Sequence, residues 1–465
     1  MLLLSLLLAA AADRQVEAAL AQAGPGTRIG LVVVDDRGRE IVAIRPDERF
    51  VPASNTKLFT TALAFATLET AAPDDAGASV RLEGGDVILR GHGDARLSGA
   101  ADCVTDCLRD LAAAIARETR VVRDVIGDDT YFPDERWPAG MSWNNMAGRY
   151  GTAISALTID DNVVAVTVTP TTPGAPAIAT GDGYLALDME AVTGAAGTDG
   201  DLGYARMPGS DRLRVTGTIP AGAPARTLLV GIDDPAHYAA WRLAALLRAA
   251  GVRVTGTIAV RHRPIGPGDD PATRGAAPPA RPPAPKALAR LTPPPLAEDV
   301  RATNKVSQNL HADLLLRRVG AVAGTGSVAD GQAAMQAMLT RAGVPRWRYD
   351  LSDGSGMSSY NRVTPRATVA LLRWAATQGW GAAWRETLPV AGVDGTLARR
   401  FAGTPLERRL SAKTGTLNAA NALAGYLTTA KGRTLTFAAY ANDMPEDASA
   451  TAAIDAALLA VAAGN

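Results

Sequence analysis

Ser54-Asn55-Thr56-Lys57 is the only S-x-x-K in the chain. A free serine hydroxyl is a weak nucleophile, and a lysine at i+3 returns to the same helix face one turn on, where its amine can take the hydroxyl proton. The stretch from Leu58 to Leu68 is apolar and free of Gly and Pro, so it predicts a buried helix with Ser54 at its N-terminus. Exposed N–H groups and the helix dipole there favour a developing oxyanion. Alone, the motif also fits an N-capping serine followed by a surface lysine, because about one chance match is expected in a chain this long. Far downstream stands Lys413-Thr414-Gly415 within Leu410 to Leu417, followed by the strand-like runs Ala422 to Leu427 and Thr434 to Tyr440. On an edge strand, Lys413 and Thr414 can hold a substrate carboxylate by charge and hydroxyl, and Gly415 lets backbone approach closely. The bland alternative for this second motif is a turn opening a hairpin.

A third polar pair, S-x-N, occurs at Ser142-Trp143-Asn144, Ser307-Gln308-Asn309 and Ser359-Tyr360-Asn361. Ser307 opens an amphipathic run through Leu310, Leu314, Leu315 and Val319, which places Ser307 and Asn309 at a helix start fixed by packing beneath. Those two are the candidates. Ser142 lies in a Trp/Asn/Met-rich loop and Ser359 follows the turn-like Asp353-Gly354-Ser355-Gly356, so both read as capping or turn serines.

Positioning these groups requires a sheet and covering helices. Arg28 to Val34 and Arg39 to Ile44 read as two strands around Asp35-Asp36-Arg37-Gly38, joining the C-terminal strands in one antiparallel sheet. Helical periodicity in Ala329 to Ala342, Arg366 to Gln378 and Ala448 to Ala463 supplies the layers. The long interval between Ser54 and Ser307 exceeds what one helical subdomain needs. Strand-like runs at Val163 to Thr169, Leu213 to Ile219, Leu228 to Gly231 and Val252 to Val260 make it a mostly β insertion. Eleven of the 29 prolines fall between Pro264 and Pro295, a stiff connection back. The expected organisation is a catalytic domain from 13–72 and 286–465, interrupted by an accessory region of one or two domains at 73–285.

The bulk properties exclude several classes. Lys plus Arg and Asp plus Glu are 47 each, so no global field recruits nucleic acid or an anionic membrane. The four histidines, His92, His237, His262 and His311, show no zincin spacing, and G-x-S-x-G is absent. Serine–lysine acyl transfer calls for no metal and no cofactor. Leu2 to Ala12 is apolar, too short to span a bilayer and Ala-rich at its end, as in a signal peptide over 1–12, although no basic residue precedes it. Export follows, to the periplasm or beyond, with no transmembrane span in the mature form. Cys103 and Cys107 fit one local disulfide, at a loop or helix end, or two buried thiols.

Further stretches carry a resemblance: Pro52-Ala53-Ser54, Gly91-His92-Gly93-Asp94, Gly127 to Phe132, Ser155-Ala156-Leu157 with Asn162, Asp353 to Ser358, Leu388 to Leu397, and Lys413 to Leu417. With the motifs above, they span nearly the whole chain in order. The chain resembles the D-alanyl-D-alanine carboxypeptidase/endopeptidase family of low-molecular-mass, class C penicillin-binding proteins. The resemblance implies an α/β (α+β) serine β-lactamase/transpeptidase-like domain, an antiparallel sheet flanked by helices, with inserted accessory domains. It implies an acyl-enzyme on Ser54, with Lys57 as general base and the N–H groups of Ser54 and Thr416 holding the oxyanion. Ser307 would relay a proton with Lys57, Asn309 would orient the acyl side, and Lys413 and Thr414 would bind the terminal carboxylate. Burial and a second cation, Lys413, would depress the Lys57 pKa.

The implied partners are peptidoglycan stem peptides, and β-lactams as covalent inhibitors; homo-oligomerisation stays open. Asp128 matches a position of the pocket for the substrate side chain, with Asn418 beside it, although Asp128 equally fits a solvated turn. His311 matches no catalytic position and reads as a surface or packing residue. Where the family commonly carries an arginine after D-G-S-G-L-S, this chain has Ser359, and a hydroxyl cannot replace a guanidinium; Arg362 could reach back instead. Two other readings are a serine β-lactamase or esterase on the same fold and a non-catalytic sensor of β-lactams or wall peptides.

Overall fold

The structure is a computed structural model that describes residues 14–72, 74–275, 277–278, 281 and 283–465. The expected signal peptide at 1–12 lies outside the described residues. Five antiparallel strands form the main sheet in the order Glu40–Ile44, Arg28–Val34, Thr434–Asn442, Ala420–Thr428 and Leu410–Leu417. The three inner strands are largely buried along their length because both faces are covered, and alternate residues leave for opposite layers. Val32, Val34, Ala424, Ala438 and Tyr440 face a layer holding the helices Thr56–Thr67, Asn309–Ala323, Val328–Arg341 and Pro365–Ala376. Leu31, Val33, Leu423, Leu427 and Phe437 face the helix Thr451–Gly464 and the helical residues 14–20. Each such side chain, fully buried, contributes about 1.5–3 kcal/mol. The result is a three-layer α/β/α domain with the Lys413 strand at one edge of its sheet.

After the helix Thr56–Thr67 the chain leaves this domain and builds a second core. Its principal sheet is mixed, in the order Ile258–Arg261, Val125–Asp128, Asp86–Arg90, Ser79–Glu83 and Ala289–Arg290. Smaller sheets pair Val163–Thr169 with Arg226–Gly231 and Ile178–Thr180. Two helices, Leu108–Glu118 and Pro235–Ala249, pack into the same core, so the insertion is less purely β than its strand-like runs indicate. The run Val252 to Val260 is split into Arg253–Val254 and Ile258–Arg261, and Gly256 between them packs so closely on Asp124 that a Cβ would lie 2.0 Å from its Oδ1. The return point also differs from Pro285. Ala289 and Arg290 still pair with Val80 and Ser79 of the insert sheet, and only Pro293 to Pro295 lead into the helix Leu296–Lys305 of the α/β/α domain.

Cys103 and Cys107 are bridged, with Cα atoms 5.8 Å apart, in the turn whose last residue caps the helix Leu108–Glu118. A helix-end placement gives i,i+4 cysteines the freedom that a helix interior denies them. Among the described residues no helix is long and apolar enough to cross a membrane.

Candidate active site

Ser54 lies in a 3-10 turn, Ala53–Asn55, that runs directly into the helix Thr56–Thr67. Ala53 takes the left-handed conformation, φ 47°, which turns the Ser54 side chain out of the buried helix and leaves it half-buried. Two glycines permit this turn. A Cβ on Gly356 would fall 1.9 Å from Ala53 O, and one on Gly415 would fall 2.8 Å from Pro52 O and 3.1 Å from Ser54 N. The D-G-S-G loop and the edge strand therefore press directly on the serine turn, and Asn55 Nδ2 donates to Lys413 O at 2.9 Å to pin the strand.

Lys57 is fully buried, and its Nζ has three oxygen partners: Ser54 Oγ at 3.0 Å, Asn309 Oδ1 at 2.6 Å and Ser355 O at 2.7 Å. A neutral amine has two N–H donors and one lone pair. With Asn309 and Ser355 taking the donors, the lone pair is left facing the serine hydroxyl. Burial, the largest influence, lowers the Lys57 pKa to about 8, against the opposing charges of Asp313 and Asp353. Burial, then Asp353, pushes the Asp313 carboxyl up to about 7. Asp353 also shapes the loop, accepting from the N–H groups of Gly356 at 2.8 Å and Ser358 at 2.6 Å and from Asn361 Nδ2 at 2.7 Å. The expected influence of a second cation runs the other way: burial and then the Lys57 charge lower the Lys413 pKa.

Lys413, also fully buried, donates to Ser307 Oγ at 2.9 Å and to Thr414 O at 3.0 Å. Ser307 therefore sits on Lys413, whereas Asn309 is the partner of Lys57. The Asn309 amide is used at both ends, because its Nδ2 donates to Tyr150 O of the inserted region at 2.8 Å. Thr414 Oγ1 donates to Thr396 Oγ1 at 2.7 Å.

A cavity of about 750 Å³ opens over these groups and is lined by Ser54, Ser307, Asn309, Thr414, Gly415, Thr416 and Asn418, among others. Asp128 is not brought to it. That residue ends an insert strand, is 5% exposed, and spends Oδ1 on Thr130 N at 3.1 Å and Thr130 Oγ1 at 2.6 Å. Its expected place in the substrate pocket is corrected to that of a buried turn-former.

The other two S-x-N serines, read above as caps, do reach the cavity. Ser142 and Asn144 line it and bond each other at 2.6 Å, while Ser359 Oγ donates to Gly140 O at 3.0 Å. Neither is bonded to Lys57 or Lys413 among the described residues. Arg362 also lines the cavity, its Nη1 donating to Ser359 O and Asn361 O, each at 2.7 Å. Residues that spacing alone did not single out are Asn55, Tyr150, Asp313, Ser355 and Thr396, whose contacts join segments distant in the chain.

If Lys57 accepts the proton from Ser54, acylation needs its neutral form, which grows as pH rises toward about 8. The second-order acylation rate is expected to climb roughly tenfold per pH unit below that value and to level off above it. A rate constant that stays flat from pH 6 to 9 would exclude Lys57 as the titrating base.

The chain is similar to known proteins along most of its length. The profile of the D-Ala-D-Ala carboxypeptidase 3 (S13) family matches residues 12–463. A D-alanyl-D-alanine carboxypeptidase of Actinomadura sp. strain R39 is 36% identical over 433 residues, covering 86% of this chain and 75% of that protein. A D-alanyl-D-alanine carboxypeptidase of Haemophilus influenzae is 24% identical over 441 residues, covering 90% and 86%. The crystal structure of penicillin-binding protein 4 from the same organism superposes with a TM-score of 0.79 at 21% identity, covering 95% of this chain and 97% of that one.

Proposed function

Because this chain belongs to the D-Ala-D-Ala carboxypeptidase 3 (S13) family of serine-type hydrolases, we propose that Ser54 is its nucleophile and Lys57 the general base. The observation that carries this reading is the buried Lys57 amine, 3.0 Å from Ser54 Oγ and held by two other acceptors. Ser54 attacks the carbonyl of a D-Ala-D-Ala peptide bond, and its proton passes to Lys57. Backbone N–H groups of Ser54 and Thr416 receive the oxyanion. Ser307, bonded to Lys413, relays the proton taken up by Lys57 to the nitrogen of the leaving D-Ala as the C–N bond breaks, which returns Lys57 to its neutral form and leaves Ser307 a hydroxyl. Lys413 with Thr414 binds the terminal carboxylate, whose charge favours the protonated form of a buried amine. Water then hydrolyses the ester. Asn309 fixes Lys57, and Asn418 on the cavity wall is a substrate contact.

β-Lactams would acylate the same serine and be retained. A penicillin-sensitive carboxypeptidase A of Dictyostelium discoideum, 26% identical over 418 residues, supports that expectation by its name. The Cys103–Cys107 bridge supports an exported protein working in an oxidising compartment on peptidoglycan. Cleavage of cross-links as well as terminal D-Ala fits a cavity open to solvent.

The cation expected for an anionic substrate side chain is Arg362, which borders the cavity three residues beyond Ser359. Digestion of purified muropeptides tests the whole reading. Free D-Ala and cleaved cross-links are expected, with kcat/KM higher on stem peptides carrying diaminopimelate than lysine. Arg362→Ala should reduce that preference about tenfold, the worth of one exposed charge-assisted contact. No release of D-Ala from any muropeptide would reject the function. An unchanged preference in Arg362→Ala would reject only the role of the arginine.

A further inference from the structure

The helix carrying Asn309 begins without a side-chain cap at Gln308, and Ser307 before it occupies the left-handed region at φ 65°. A serine persists there only where its surroundings over-determine it. Part of that support comes from the inserted region. Asp161 Oδ2 accepts from Gln308 Nε2 at 2.9 Å, and Asp161 Oδ1 lies 2.8 Å from His311 Nε2, so one carboxylate holds residues on both sides of Asn309. The far edge of the imidazole is held too: His311 Nδ1 lies 2.5 Å from Asp299 Oδ1, an ion pair bent away from hydrogen-bond alignment.

His311 is thus no surface residue; it is 5% exposed and clamped between carboxylates from two separate segments. Carboxylates at both nitrogens suit the doubly protonated ring. Burial opposes that charge, but Asp299 and Asp161 prevail and push its pKa up to about 10.

The backbone under Asp161 is tied down by hydrogen bonds on both sides. Asp160, Asp161 and Asn162 take φ 48°, 55° and 52° in succession. Asn162 Oδ1 accepts from Ile159 N at 3.1 Å and its Nδ2 donates to Ala153 O at 2.9 Å. Asp160 accepts from Gly99 N at 2.9 Å and from Arg242 Nη1 at 3.1 Å. A run of left-handed non-glycine residues held this firmly is backbone strain spent on aiming a side chain.

We propose that Asp161 is a positioning residue for the reaction. By holding Gln308 and His311 it fixes Ser307 against Lys413 and Asn309 against Lys57, which makes the inserted region a working part of the active site. The inference rests on the roles given to Ser307 and Asn309 above. Asp161 is absent from the cavity lining, so its effect passes through the residues it holds.

The test uses the full chain. The Asp161 side chain is 48% exposed, so Asp161→Ala should fold, as circular dichroism would register. Its second-order acylation by benzylpenicillin should fall about tenfold to a hundredfold, the usual consequence of misplacing reacting groups by an ångström. On a peptide ester the loss should appear in kcat with KM little changed. Gln308→Ala combined with Asp161→Ala should lose little more than Asp161→Ala alone, because both act through one contact. Wild-type acylation by folded Asp161→Ala, or strictly additive losses in the double variant, would overturn the proposal. Ser307→Ala run in parallel separates the two levels. If it is crippled while Asp161→Ala is not, only the positioning role falls; if Ser307→Ala is itself fully active, the roles beneath it fall as well.

Discussion

Ser54→Ala is expected to abolish covalent labelling by penicillin while leaving the protein folded. The substitution removes one oxygen from a half-buried turn, and Lys57 keeps Asn309 Oδ1 and Ser355 O as partners, so no buried amine is stranded. The fold should therefore pay little, and the chemistry everything: loss of a nucleophile that acts as a unit with its base costs about a millionfold. Intact-mass measurement after incubation with benzylpenicillin should show a single adduct on the wild type and none on the variant. Proteolysis of the adduct should place the label on the peptide containing Ser54. Persistent labelling of Ser54→Ala at any other residue would end the assignment.

The second large effect separates the two buried lysines. Lys57→Ala removes the only amine bonded to Ser54 Oγ among the described residues, so acylation should drop by about four orders of magnitude or more toward amides and esters alike. The variant also leaves Asn309 Oδ1 and Ser355 O without their buried donor, at about 1–3 kcal/mol for each group left unpaired. Rates are therefore to be compared on protein shown to be folded. Lys413→Ala acts on recognition, since Lys413 reaches Ser307 and the edge strand and is not bonded to Ser54. Its kcat/KM loss should be roughly tenfold to a hundredfold greater on a peptide ester with a free terminal carboxylate than on the methylated analogue, the worth of a charge-assisted contact. Equal losses on both analogues would remove the anchoring role from Lys413.

Local periodicity settled a good deal of this molecule from its residues alone. Lys57 stands at i+3 from Ser54 on a helix, a distance the backbone sets whatever surrounds it, and the 3.0 Å contact follows. The strand Arg28–Val34 and the two long C-terminal strands are readable because a strand covered on both faces must be apolar throughout. The edge position of Lys413-Thr414-Gly415 follows from the hairpin order of those strands.

What only the tertiary structure decided concerns partners far apart in the chain. Lys57 meets Asn309 and Ser355 across 252 and 298 residues, and no periodicity records such a meeting. All three S-x-N serines surround one cavity, so the sequence could rank them by local context but could not foresee which would bond a lysine. Asp128 was misplaced because a motif position says nothing about the direction of a side chain, and this carboxylate satisfies itself on Thr130. His311, one among four histidines in sequence, acquires its charge only because folding sets Asp161 and Asp299 against its two nitrogens. Electrostatic energies depend on distance and burial, which are properties of the packed chain; spacing along the backbone fixes them only within a helical turn or between paired strands.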